Sequence, residues 1–151
     1  MKNKLILILL IIVFGTGVSH AQDSEKYYMN KTISYDFEDA TSRLKAALKD
    51  QGFGTITEIE MHEKLAEKDF EIKPYRILGV CNPGYAYKTL QAEENIGLFL
   101  PCKVLVKYVD ETTTEIVMVN PSVLMKMLGN KDLMKVADEV TLGFMTALDA
   151  L

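Results

Sequence analysis

Residues 75–83 read Tyr75-Arg76-Ile77-Leu78-Gly79-Val80-Cys81-Asn82-Pro83, and the fold turns on this stretch. Tyr75 to Cys81 is a near-continuous apolar run of strand length, which predicts a buried strand. Asn82 is among the best N-cap residues, and Pro83 suits a first helical position because its missing N–H has no partner there. A core strand therefore passes directly into a helix that runs to about Glu94, and Cys81 sits at the junction.

Downstream, Cys102 to Val109 alternates apolar and polar residues, and Thr113 to Val119 completes a hairpin across the acidic turn at Asp110-Glu111. Asn120-Pro121 repeats the cap-and-start pair, and Gly129 stops the helix it opens. The last element runs from about Lys131 to Leu151, with Leu133, Val136, Ala137, Val140, Phe144, Ala147 and Leu148 on one apolar stripe. Upstream, Gly54 to Met61 reads as a strand with Ile56 and Ile59 near one face, followed by a charged stretch over residues 62–70, a short helix or a loop. Asp36 caps a helix in which Phe37, Ala40, Leu44, Ala47 and Leu48 recur at spacings of three and four, with Gly52 at its end. Tyr28 to Tyr35 is the first strand. This mixed order with a hairpin predicts an α+β domain of two layers: a largely antiparallel sheet with helices packed on one face. Strand order is not readable from it.

The N-terminus has a different character. Lys2 and Lys4 precede an unbroken apolar run from Leu5 to Phe14, Gly15-Thr16-Gly17 breaks it, and Ser19-His20-Ala21 offers small residues at −3 and −1 of a cleavage site. This is the three-part form of a secretory signal peptide over residues 1–21. Ten apolar residues are too few to span a bilayer, which needs roughly 20 in a helix. The mature chain is then a single domain over residues 22–151, periplasmic or secreted, with no second stretch long enough to span a membrane. Without Lys2 and Lys4 it keeps 15 of the 17 bases against 21 acids. So acidic a domain repels phosphate backbones, which argues against nucleic-acid partners.

Few residues carry chemistry. Cys81 lies beside the unpaired N–H groups and positive dipole end of a helix, a setting that favours thiolate. It can serve as nucleophile, redox centre or soft-metal ligand, or be a small buried hydrophobe. Cys102 starts the next strand. If the two strands are antiparallel neighbours the sulfurs can meet, as a structural disulfide, a redox couple, or two thiolates for Cu(I) or a similar soft ion. His62 stands among acids in Glu60-Met61-His62-Glu63, as a ligand, a proton carrier or part of a solvated face. Arg76, inside an apolar strand, needs an acid partner or a groove. Met118, Met125, Met127 and Met134 invite a copper reading, but their spacing fits packing better. A phosphate loop, a G-x-S-x-G elbow and an HExxH helix are all missing, so conventional hydrolase or nucleotide chemistry finds no support.

The residues from Tyr75 to Pro83, then Ala86, Ile96-Gly97 and Leu100-Pro101-Cys102, resemble the domain of unknown function 302 family. Ile56 to Lys68, Asn120-Pro121 and Val136 to Val140 are similar to it as well, so the resemblance covers about Tyr28 to the C-terminus. It implies a compact α+β domain that tends to form dimers, and no reaction. Members usually carry Asp where this chain has Glu60, so a carboxylate role there has to accept one extra methylene. Many relatives lack one or both cysteines, so the thiols mark a subgroup and are not needed for the fold.

Three functions compete. In the first, Cys81, Asn82 and Cys102, with Glu60, His62 and Arg76 as further candidate ligand-binding residues, form a thiol-based binding or redox module for a thiol, a sulfur compound or a soft metal ion. The second is a non-catalytic homodimer of the cell envelope with a structural Cys81–Cys102 disulfide. The third is a small-molecule enzyme with Glu60 or His62 as acid or base, ranked last because its constellation is incomplete.

Overall fold

The computed structural model describes residues 26–151, so the leader read over residues 1–21 lies outside the described residues. The chain runs β1 (Tyr28–Ile33), α1 (Phe37–Asp50), β2 (Gly54–Glu60), α2 (Met61–Ala66), β3 (Tyr75–Cys81) and α3 (Pro83–Ala92). A 3₁₀ segment (Glu94–Phe99), β4 (Cys102–Asp110), β5 (Thr113–Val119), α4 (Pro121–Lys126) and α5 (Lys131–Asp149) follow. The five strands form one sheet in the order β1-β5-β4-β3-β2, with every neighbouring pair antiparallel. The expected α+β architecture, a largely antiparallel sheet with helices on one face, is what the chain adopts.

Capping chemistry sets the helix starts. Asp36 accepts hydrogen bonds from the Glu38 and Asp39 N–H groups, and Asn82 from those of Gly84 and Tyr85. Asn130 does the same for Asp132 and Leu133, so donors that a helix start leaves orphaned are satisfied locally. Gly52 lies just past α1 at φ +79°, a conformation in which a side chain is strained. The helix after Pro83 ends at Ala92, a little before the expected limit, because Glu93 is extended and its carboxylate accepts from Asn95 N–H to start the 3₁₀ segment.

One side of the sheet makes the core. Leu78 and Val80 of β3, Val104 and Val106 of β4, and Ile116 and Met118 of β5 are fully buried beneath Leu44 and Leu48 of α1 and Phe144 of α5. The stripe read on α5 is buried at all seven positions. A smaller cluster of Ile96, Met125, Leu133 and Ala137 forms where the 3₁₀ segment and α4 meet α5.

The second strand departs from expectation. It ends at Glu60, Met61 opens α2, and a bulge between Thr55 and Thr57 places Ile56 out of register. Ile56 and Ile59 are both exposed: β2 is an edge strand, Glu58 and Glu60 take its helix-side positions opposite Leu78 and Arg76, and Ile59 lies on the face away from the helices. Next to the bulge, Gly79 lets the sheet close tightly. A Cβ there would stand 2.6 Å from Pro101 Cγ and nearer still to Thr57 Oγ1. Gly79→Ala is expected to cost about 1–3 kcal/mol through overpacking. Urea unfolding checks this, with the midpoint falling and the slope unchanged.

Candidate functional site

Cys81 and Cys102 come together through the β3–β4 pairing. Val80 lies opposite Cys102 in the antiparallel register, so the end of one strand adjoins the start of the other. Both thiols are free and half-buried. Both line a cleft with an empty volume of about 530 Å³, solvent at its mouth included. Its interior cavity is small, about 60 Å³.

The cleft is the seam between the two hydrophobic clusters. Phe53, Val80 and Val140 of the main core face it from one side, and Ile96, Met125 and Leu133 of the smaller cluster from the other. Asn82 reaches its edge with its groups already engaged: the side-chain oxygen caps α3 and the nitrogen donates to the Gly52 carbonyl at 3.0 Å. Thr89 likewise spends its hydroxyl on the carbonyls of Tyr85 and Ala86.

The electrostatics at Cys81 differ from the sequence expectation of a thiolate. Burial pushes its pKa up, and the cap oxygen of Asn82 already takes the N–H groups of Gly84 and Tyr85. Cys102 is pushed up to about 11, by burial first and then by the neighbouring Cys81. Both sulfurs are protonated at neutral pH. Neither is bonded to the other, so the structural disulfide of the second reading is not formed here.

The other candidate residues sit elsewhere. Glu60 faces Arg76 across the β2–β3 ladder, and His62 accepts a hydrogen bond from Tyr75 N–H through Nδ1 at 3.2 Å. All three are at the far end of β3 from Cys81, about 17 Å along the strand. The combined site expected from the sequence is therefore two separate places.

At this second place Arg76 is only 8% exposed and fully engaged. Its Nε pairs with Glu60, Nη1 donates to Thr41 Oγ1 at 2.8 Å and to Glu38, and Nη2 donates to Glu38 at 2.8 Å. Glu58 approaches Nε at 3.3 Å, and the guanidinium lies over the Phe37 ring. Burial disfavours the charge, but the hydrogen bonds of Glu38 and Glu60 outweigh it and hold the guanidinium's pKa up. With the arginine spent on three carboxylates, the cluster fastens α1 to the sheet.

The sequence comparison now bears on the whole arrangement. The family model for "Domain of unknown function DUF302" matches residues 29–151. The chain belongs to this DUF302 family. Among solved structures it is similar to an uncharacterized conserved protein DUF302 from Bacillus stearothermophilus. That match has 32% identity and a TM-score of 0.77, and covers 82% of this chain and 97% of the other. No curated protein matches it.

In this DUF302 domain, the sequence reading missed most of the cleft and two of the carboxylates on Arg76. Glu58 and Glu60 carried a signal, since residues two apart on a strand share a face. Phe53, Tyr85 and Phe99 carried none, because apolar residues that line a seam look like residues that fill a core, and Met125 was read as packing for the same reason. Cys81, Cys102 and Met125 are soft donors by type, yet among the described residues no three His, Cys, Asp or Glu side chains converge as a metal set.

The Arg76 hydrogen bonds hold the Glu38 carboxyl below its ordinary value of 4.5. A depressed folded pKa adds stability above the unfolded value and loses it as pH falls through the folded one. Glu38→Gln is therefore expected to lower stability at pH 7 and to lose less of it on acidification below about pH 4.5. The loss stays below about 1 kcal/mol because Glu38 is largely solvated. Chemical denaturation at pH 7 and pH 3 measures both effects.

Proposed function

We propose that this DUF302 domain is an exported, thiol-based binding or redox module in which Cys81 and Cys102 act on a thiol or another sulfur compound. One observation carries the reading: two free sulfurs share the wall of one apolar cleft, and Cys102 is the more deeply buried. Export after cleavage near Ala21 would put the pair in a compartment where disulfides form and persist.

The chemistry follows from the placement. The Cys81 thiolate attacks one sulfur of a small disulfide, the S–S bond breaks, and the departing thiolate takes up a proton. Cys102 then attacks the Cys81 sulfur of the mixed disulfide and releases the second thiol. Two electrons pass to the small disulfide, and a Cys81–Cys102 bond forms. Burial keeps both thiols protonated at rest, so the first step accelerates at alkaline pH. A Cu(I)-type ion ranks behind a sulfur compound, because two thiolates would hold it only after losing the protons that burial retains.

The test is the reaction of the reduced protein with diethyl disulfide, a small uncharged disulfide, followed by intact mass. Wild type is expected to lose two hydrogens with no adduct, Cys102→Ser to retain an ethylthio adduct on Cys81, and Cys81→Ser to react more slowly than Cys102→Ser. Native protein that gives neither adduct nor internal disulfide, while its thiols react after denaturation, overturns the reading.

A second reading concerns assembly. The sheet face away from the helices carries Tyr28, Tyr75, Leu105, Val117 and Val119, rimmed by Lys103, Lys107 and Glu115. Apolar side chains on an uncovered sheet face support a homodimer formed face to face, with the lysines and the glutamate at its margin. Sedimentation equilibrium is expected to show a dimer for wild type and a monomer for Leu105→Lys with unchanged circular dichroism. A wild-type monomer across micromolar concentrations removes this assembly.

A further inference from the structure

The cleft also specifies the shape and polarity of what enters it. None of its lining side chains is Asp, Glu, Lys, Arg or His. The polar groups of Asn82 and Thr89 are committed to the protein's own backbone, as described above. Apart from the two thiols, the Met125 thioether and the Tyr85 phenol, the remaining lining side chains are hydrocarbon. A charged or strongly polar group placed inside would lose its hydration and regain little, at a cost of several kcal/mol in apolar surroundings. The small interior, continued by a neighbouring hollow, suits a thin chain better than a bulky ring system.

A shallow hollow adjoins the cleft across Ile96, Phe99 and Leu133, which line both. Leu98 is 87% exposed at this hollow, and Leu128 is exposed beside it. The polar side chains there are Glu93, Asn95 and Asn130, and no cation is among its lining residues. Asn130 is committed to the protein, its oxygen to the cap of α5 and its nitrogen to the Ala92 carbonyl. The Asn95 amide suits an uncharged hydrogen-bonding end, whereas the Glu93 carboxylate repels an anion.

From these features we infer that the cleft binds a single unbranched hydrocarbon chain, inserted toward Cys81 and Cys102, whose uncharged polar end rests in the hollow at Asn95. The inference deepens the thiol reading by naming the class of molecule that the sulfurs would meet, a neutral single-chain amphiphile. Its physical basis is separable from sulfur chemistry, because the hydrophobic contacts persist when the thiols are replaced.

The test is titration of the full mature protein with 1-butanol, 1-hexanol and 1-octanol, read from the methyl resonances of Ile96 and Met125. Affinity is expected to rise about fourfold per methylene, the factor equivalent to about 0.8 kcal/mol per buried CH₂. Octanoate at neutral pH and cyclo-octanol are expected to bind at least tenfold more weakly than 1-octanol. Ala86→Phe, which projects a ring from α3 into the cleft, is expected to abolish the methyl shifts while the circular dichroism stays the same. Absence of shifts with 1-octanol in wild type overturns the inference, as does equal binding of cyclo-octanol or octanoate. The double variant Cys81→Ser and Cys102→Ser separates the two proposals. Retained chain binding there, with no diethyl disulfide reaction in wild type, leaves the ligand class standing and removes the redox module. Diethyl disulfide reaction without chain binding does the reverse.

Discussion

The antiparallel pairing of β3 with β4 is the constraint from which the rest of the molecule follows. It places Val80 opposite Cys102 and Arg76 opposite Val106, so the two ends of one strand become two different chemical environments. At one end the chain leaves the sheet through Cys81 into α3 and returns through the 3₁₀ segment to Cys102. At the other, β2 brings its carboxylates beside Arg76. The shared core of Leu78, Val80, Val104 and Val106 holds this register, because a slip by one residue would turn those side chains to the uncovered face.

The two ends deal with polarity in opposite ways. Around Arg76 a charge is buried and surrounded by acceptors from two elements, α1 and β2, since a lone guanidinium there would carry the full cost of desolvation. Around Cys81 the polar atoms are satisfied within the backbone, and the space left over is apolar. The first environment is suited to fixing α1 on the sheet. The second has unfilled volume and two reactive atoms, which makes it the place to look for function. The protonated state of both thiols follows from the same burial, which at Cys102 outweighs the favourable charge of Lys103.

Much of the architecture was legible in the chain because its signals are local. Asn82-Pro83 and Asn120-Pro121 mark helix starts through their own side chain and ring, and the α5 stripe repeats with the helical period, so neither depends on a distant partner. The bulge at Ile56 was not legible, since it arises where Thr57 and Pro101 crowd Gly79, and those residues are far apart in sequence. The thiolate expectation at Cys81 reversed for a related reason. A helix start is a local feature, but the burial that opposes ionisation comes from side chains of other elements, and Asn82 had already used the donors.

By itself, then, the sequence determined the order along the chain of the five strands and four of the helices, the face that α5 buries, and the family to which the chain belongs, while α2 and the 3₁₀ segment were left open. Only the tertiary structure decided that the two cysteines share one cleft while Glu60, His62 and Arg76 lie apart from them. Only it revealed the cleft, which is a gap between two packed clusters. The reason is one of range. Helix caps and periodicity act over a few residues, whereas cavities, desolvation and cross-strand neighbours are set by the register of the sheet.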